Sequence, residues 1–101
     1  MLESFYEEAL CCELEARGIS VQTQLPVKAS YKGRSIGIGF RLDILADDQV
    51  IIEIKSVDRL HDVHKKQLLT YLKVMRKKVG ILINFDVARI EDKISLVRII
   101  N

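Results

Sequence analysis

Apolar residues recur every three or four positions from residue 2 to about 17. Leu2, Phe5 or Tyr6, Ala9, Leu10 and Leu14 fall on one side of a helix. Glu3, Glu7 and Glu8 sit in its first turns, where acids suit the positive end of the helix dipole, and Arg17-Gly18 reads as its stop. The period then changes to two. Ile19, Val21, Thr23, Leu25 and Val27 alternate with polar neighbours as in a half-buried strand, and Pro26 points to a sheet edge. A turn at Tyr31-Lys32-Gly33-Arg34 leads into a second strand over about 35–46, with a bulge or close approach at Gly37-Ile38-Gly39. Asp47-Asp48-Gln49 reads as a hairpin turn into a third strand, Val50 to Lys55. Helical spacing returns over about 60–78 through Leu60, His64, Leu68, Tyr71, Leu72 and Met75, with Gly80 as the stop. Ile81 to Phe85 reads as a buried strand and Ile94 to Ile100 as a last one. This order predicts an α/β (α+β) fold.

Composition narrows the classes. The chain has 101 residues, 49% hydrophobic and 30% charged, enough for a core under a solvated surface and against disorder. It shows no repeat, low-complexity tract or boundary, so one domain is expected over 1–101. No apolar run is long enough to span a bilayer, and the acidic start lacks the layout of a secretory signal. Cys11 and Cys12 are adjacent, poorly placed for a disulfide and without a nearby His for zinc, so a reduced cytoplasmic protein with no membrane partner is expected. Sixteen basic residues against fourteen acidic ones neither demand nor exclude a nucleic-acid partner.

The chemistry concentrates in Arg41-Leu42-Asp43-Ile44-Leu45 and Ile52-Glu53-Ile54-Lys55. Alternation on a strand points Glu53 and Lys55 the same way, roughly 7 Å apart, with Ile52 and Ile54 opposite. If the two strands form a hairpin, Asp43 comes beside Glu53 only with an odd-numbered loop such as 47–49, or a bulge; a two-residue turn would put Asp43 opposite Ile52. Two converging carboxylates repel, and a magnesium-type cation relieves that cost while binding phosphate and acidifying a water. Lys55 would orient that water or neutralise developing charge. Such a set suits phosphodiester hydrolysis. The plainer alternative is a solvated Glu–Lys pair worth little, but each charge here interrupts an aliphatic run in what reads as an inner strand.

Other residues are candidates of lesser weight. Gln67 and Tyr71 lie four apart on the helix after Lys55 and can reach a phosphate or position the acids; a surface amide and half-buried tyrosine is the alternative. Glu3 or Glu7 could add a carboxylate, or serve only the helix dipole. Lys65, Lys66 and Lys73 are candidate contacts to a nucleic-acid backbone, and further bases gather at Lys28, Lys32 and Arg34; the helical ones also fit a solvated face. His61 and His64 read as helix-entry residues, with metal binding as the alternative.

Taken together, Leu2 to Leu10, Tyr31-Lys32-Gly33, Arg41-x-Asp43, Ile52-Glu53-Ile54-Lys55, Gln67-Leu68-Leu69-Thr70-Tyr71 and Gly80 to Phe85 resemble, in order and over essentially the whole chain, the small bacterial GxxExxY proteins of the PD-(D/E)XK nuclease-like superfamily. The resemblance implies a restriction-endonuclease-like fold, a central mixed sheet flanked by helices. It implies Asp43 and Glu53 as metal ligands with the Ile54 carbonyl, Lys55 as the catalytic lysine, Glu3 as the first-helix acid, and Gln67 with Tyr71 as a substrate-positioning pair. The signature Gly would fall ahead of Met1, so the chain is expected to be N-terminally shortened relative to the family, with a homodimer as one way to cover the surface left. The expected activity is a Mg²⁺- or Mn²⁺-dependent nuclease acting on DNA, with RNA as the second substrate class. The alternative is a catalytically silent nucleic-acid-binding or protein-interaction module on the same fold.

Overall fold

Each change of hydrophobic period starts a new element. The computed structural model describes residues 2–86 and 93–101, less the side chains of Leu2, Ala29, Tyr31, Ile36, Ile38 and Lys93. The chain runs α1 (Leu2–Ala16), β1 (Val21–Tyr31), β2 (Arg34–Ala46), β3 (Val50–Lys55), α2 (Asp62–Met75), β4 (Val79–Asp86) and β5 (Lys93–Ile100). The strands form one sheet in the order β1-β2-β3-β4-β5. β3 and β4 are parallel and joined through α2, whereas the other neighbours are antiparallel. None of the described helices is long and apolar enough to cross a membrane.

Local chemistry accounts for the ends. α1 closes on Gly18, whose φ of +79° is open to glycine at little cost, while the Ile19 amide returns to the Leu14 carbonyl at 3.0 Å. Lys32 and Gly33 both have positive φ, as a two-residue hairpin requires, and close β1 onto β2 at Tyr31↔Arg34. The register slips between Val27 and Ser30, opposite the Gly37-Ile38-Gly39 stretch, so a bulge is present. α2 is shorter than its periodicity suggests. It starts at Asp62 after His61, whose amide donates to His64 Nδ1 at 3.0 Å, and ends at Met75 because Arg76 turns left-handed at φ 57°. Gly80 is therefore not its stop but lies inside β4.

Two apolar layers enclose the sheet. On one face α2 brings Leu68, Tyr71 and Leu72 onto Leu45, Ile51 and Leu82. On the other, Cys11 of α1 joins Ile44, Ile52, Ile54 and Ile83. Tyr6 stacks on Phe85 with ring centres 4.2 Å apart, tying α1 to β4. β3 alternates between the two layers as expected, but β1 and β2 do not keep one alternation throughout. Val21 packs toward the α1 side and Leu25 with Val27 toward the α2 side; likewise Ile44 faces α1 and Leu42 faces α2. The uninterrupted period of two in β1 thus spans a change of face. Both strands roll at the same level, between Thr23 and Leu25 and between Leu42 and Ile44.

Gly80 sits directly beneath α2, and a Cβ there would lie 2.9 Å from the buried Leu68 Cγ. Gly80→Ala should therefore destabilise the protein by about 2 kcal/mol through overpacking, measured by urea unfolding. An unchanged midpoint would show that α2 rides more loosely on β4.

Candidate active site

β2 and β3 pair as Ala46↔Val50, Leu45↔Ile51 and Ile44↔Ile52 about the three-residue loop 47–49. That odd loop brings Asp43 level with Glu53. There the ladder ends. Past its last pair, Ile44↔Ile52, the Ile54 amide donates to Asp43 Oδ2 at 2.8 Å. Reciprocally, the Asp43 amide donates to Glu53 Oε2 at 2.8 Å. Each carboxylate replaces a strand carbonyl at the point where the two ribbons part. Amide and carbonyl of one strand residue point to the same side, so the Ile54 carbonyl also faces this gap.

The electrostatics follow from burial. Glu53 is only 5% exposed. Desolvation first, then the charge of Asp43, pushes its carboxyl up to about 8, against the opposing pull of the Asp43 amide and Lys55. Lys55, half-buried and two residues on along the same strand face, is also felt by His64, whose imidazole is held below its usual range by burial and then by Lys55. Tyr71 is buried and stacked on Phe40 at 4.2 Å; burial, then Glu53 and Asp43, raise its hydroxyl. On the α1 side, a cavity of about 230 Å³ is lined by Glu3, Ser4, Glu7, Gln24, Asp43 and Ile54. Glu7 is half-buried there and its carboxyl is raised by desolvation and by Asp43, while Glu3 is exposed at the rim.

Of the residues singled out by sequence, the structure gathers Asp43, Glu53, Ile54, Lys55 and Tyr71, with Glu3 at the edge. Gln67 is exposed one turn before Tyr71. Lys65 is half-buried on the flank of α2, whereas Lys66 and Lys73 are exposed on its outer side, away from Leu68 and Leu72, and do not join the acid pair.

Two contributors escape a reading of the sequence. Asn84, 1% exposed, donates through Nδ2 to the Val57 carbonyl at 2.8 Å and accepts the Val57 amide at 2.9 Å. It clamps the chain just after Lys55; its one trace in the sequence is an amide within an aliphatic strand. Gln24 donates to Glu7 at 2.6 Å and leaves no such trace, because polar residues are expected at its position in the alternation.

Among the described residues, no group of three or more His, Cys, Asp or Glu side chains is arranged to hold a metal ion. The donor set present is two carboxylates and a main-chain oxygen, all hard oxygens with no thiolate or imidazole. That set fits magnesium or manganese, which complete their shells with water and substrate, and does not favour zinc.

Comparison with known proteins bears on this geometry. The family model described as the PD-(D/E)XK nuclease superfamily matches residues 1–97. Among solved structures, that of SSO0001 superposes with a TM-score of 0.69 at 23% identity, over 99% of this chain and 50% of that one, a likeness of fold. The chain spans about half the length of that structure. No curated protein matches it significantly.

Because folded Glu53 keeps a proton that the unfolded chain releases near 4.5, stability of the metal-free protein should be full below that pH and fall as pH rises toward 8. Thermal unfolding at pH 5 to 8 should show this slope, and Glu53→Gln should flatten it; an unaltered slope would refute the assignment. Asn84→Ala leaves both Val57 main-chain groups without their partner and should cost about 3 kcal/mol in urea unfolding. A loss below about 1 kcal/mol would mean water satisfies them.

Proposed function

Since this chain belongs to the PD-(D/E)XK nuclease superfamily, we propose that it is a divalent-metal-dependent nuclease hydrolysing phosphodiester bonds in DNA, with RNA as the second substrate class, and that it falls in the GxxExxY branch. The observation that carries the reading is the acid pair. Asp43 and Glu53 are cross-bonded to each other's strands at the ladder end, and Glu53 is buried to a degree that disfavours its charge. A fold that keeps two carboxylates in this position gains most when a cation shares it.

Asp43, Glu53 and the Ile54 carbonyl would hold Mg²⁺ or Mn²⁺, which when bound supplies Lewis-acid polarisation of the phosphate and a more acidic water. Asp43 keeps its orientation by accepting the Ile54 amide. Lys55 shares the strand face of Glu53, where its ammonium orients the attacking water and offsets charge developing on phosphate. Tyr71, fixed by its stack on Phe40, presents a neutral hydroxyl beside the acids, and Gln67 one turn away contacts the substrate from the exposed side. Glu3 and Glu7 add negative charge from α1. Residues 17–42, which include the β1–β2 arm, carry Arg17, Lys28, Lys32, Arg34 and Arg41 with no acid, which favours a polyanionic substrate.

Plasmid and single-stranded DNA should be cleaved with Mg²⁺ or Mn²⁺, and Glu53→Ala and Lys55→Ala should each lower the rate at least about 100-fold. Cleavage unchanged in both variants would remove the proposal. Salt-sensitive DNA binding that ignores divalent ions, with no cleavage, would instead identify a binding module on the same fold.

A further inference from the structure

In the middle of β1 the backbone turns left-handed at Gln24, with φ 50°, a conformation rare for residues other than Gly, Asn and Asp. Thr23 pairs with Ile44 and Leu25 with Leu42, while Gln24 and Asp43, level with each other between them, are not paired. This is also the level at which both strands change face. A glycine would make the same turn with less strain, so the backbone alone gives no reason for a glutamine. Its side chain does. Nε2 donates to Glu7 Oε1 at 2.6 Å, and both residues line the cavity that Asp43 and Ile54 also line. Of the two α1 acids lining that cavity, Glu7 is half-buried and held in this way, whereas Glu3 is exposed.

We propose that Gln24 is a positioning residue that fixes the Glu7 carboxylate against the Asp43 side of the acid pair, making Glu7 rather than Glu3 the acid that α1 contributes to cation binding. The inference rests on the reading of Asp43 and Glu53 as a cation site. The left-handed turn carries the Gln24 amide toward α1, and the short hydrogen bond keeps a half-buried carboxylate, already crowded by Asp43, from swinging out to solvent. Strain retained next to an acid cluster is then the counterpart of an ordered third carboxylate.

Mn²⁺ titration by calorimetry, with metal-free thermal unfolding of the same samples, tests this. Gln24→Gly keeps the turn and removes only the amide. It should raise the metal-free midpoint while weakening Mn²⁺ binding about 10-fold, the size of effect seen when a residue supporting a ligand is removed. Gln24→Asn tolerates the left-handed backbone but is too short to reach Glu7 and should weaken binding similarly. Glu7→Gln should weaken it more than Glu3→Gln. Wild-type affinity in both Gln24 variants would show that Gln24 serves only the turn, and a larger loss in Glu3→Gln than in Glu7→Gln would overturn the choice of acid. If the wild type itself binds no Mn²⁺ at millimolar concentration, the cation-site reading falls and this inference with it.

Discussion

Two main-chain amides at the end of the β2–β3 ladder are satisfied by carboxylates instead of carbonyls, and the rest of the candidate site is arranged around that exchange. A strand carbonyl is neutral, so replacing it with Asp43 and Glu53 brings two negative charges into a place where Glu53 is almost wholly shielded from water. Such a pair cannot remain doubly ionised at low cost. Either one acid keeps a proton, as the raised Glu53 carboxyl does near neutral pH, or positive charge joins them. A proton and a cation bound there would therefore compete for the same two groups.

The topology explains why this exchange occurs where it does. β3 and β4 run parallel through α2, and the carboxyl end of β3 opens toward the N-terminal end of that helix, the general location of ligand sites in sheets of this kind. β2 diverges there because it and β1 roll together at Asp43 and Gln24. The two helices then contribute opposite chemistries. α2 presents Tyr71 from a packed apolar surface, while α1 carries five acids and no base along Leu2–Ala16. Acid gathers on the wall next to the pair, and base on the strands that extend past it.

The same division accounts for what the chain discloses residue by residue. The period of two in Val50–Lys55 tied the level of Asp43 to the length of the turn, and the three-residue loop 47–49 of the structure is the odd-numbered case that sets it beside Glu53. α2 was legible in its apolar spacing but not in its end, because Gly80 looks like a stop and is instead needed flat beneath Leu68. Lys66 and Lys73 are placed by helix phase on the exposed side of α2, which the apolar spacing of Leu68 and Leu72 already implied. Asn84 looks like one more residue of a buried strand until its partner, Val57, twenty-seven positions away, comes into view.

What the sequence determined by itself is the set of periodic elements, which depends on near neighbours in the chain, and the superfamily, whose motifs run along its whole length; for Asp43 and Glu53 it offered a shared level only through an odd-numbered loop or a bulge. What only the tertiary structure decided is where the ladder stops, that Glu3 and Glu7 of α1 line the cavity beside Asp43, and that Gln24 reaches Glu7. Those outcomes depend on the coordinated roll of two strands and on a helix packed across them. Hydrophobic alternation reads the same whether a strand stays flat or changes face, so no local pattern can report that roll.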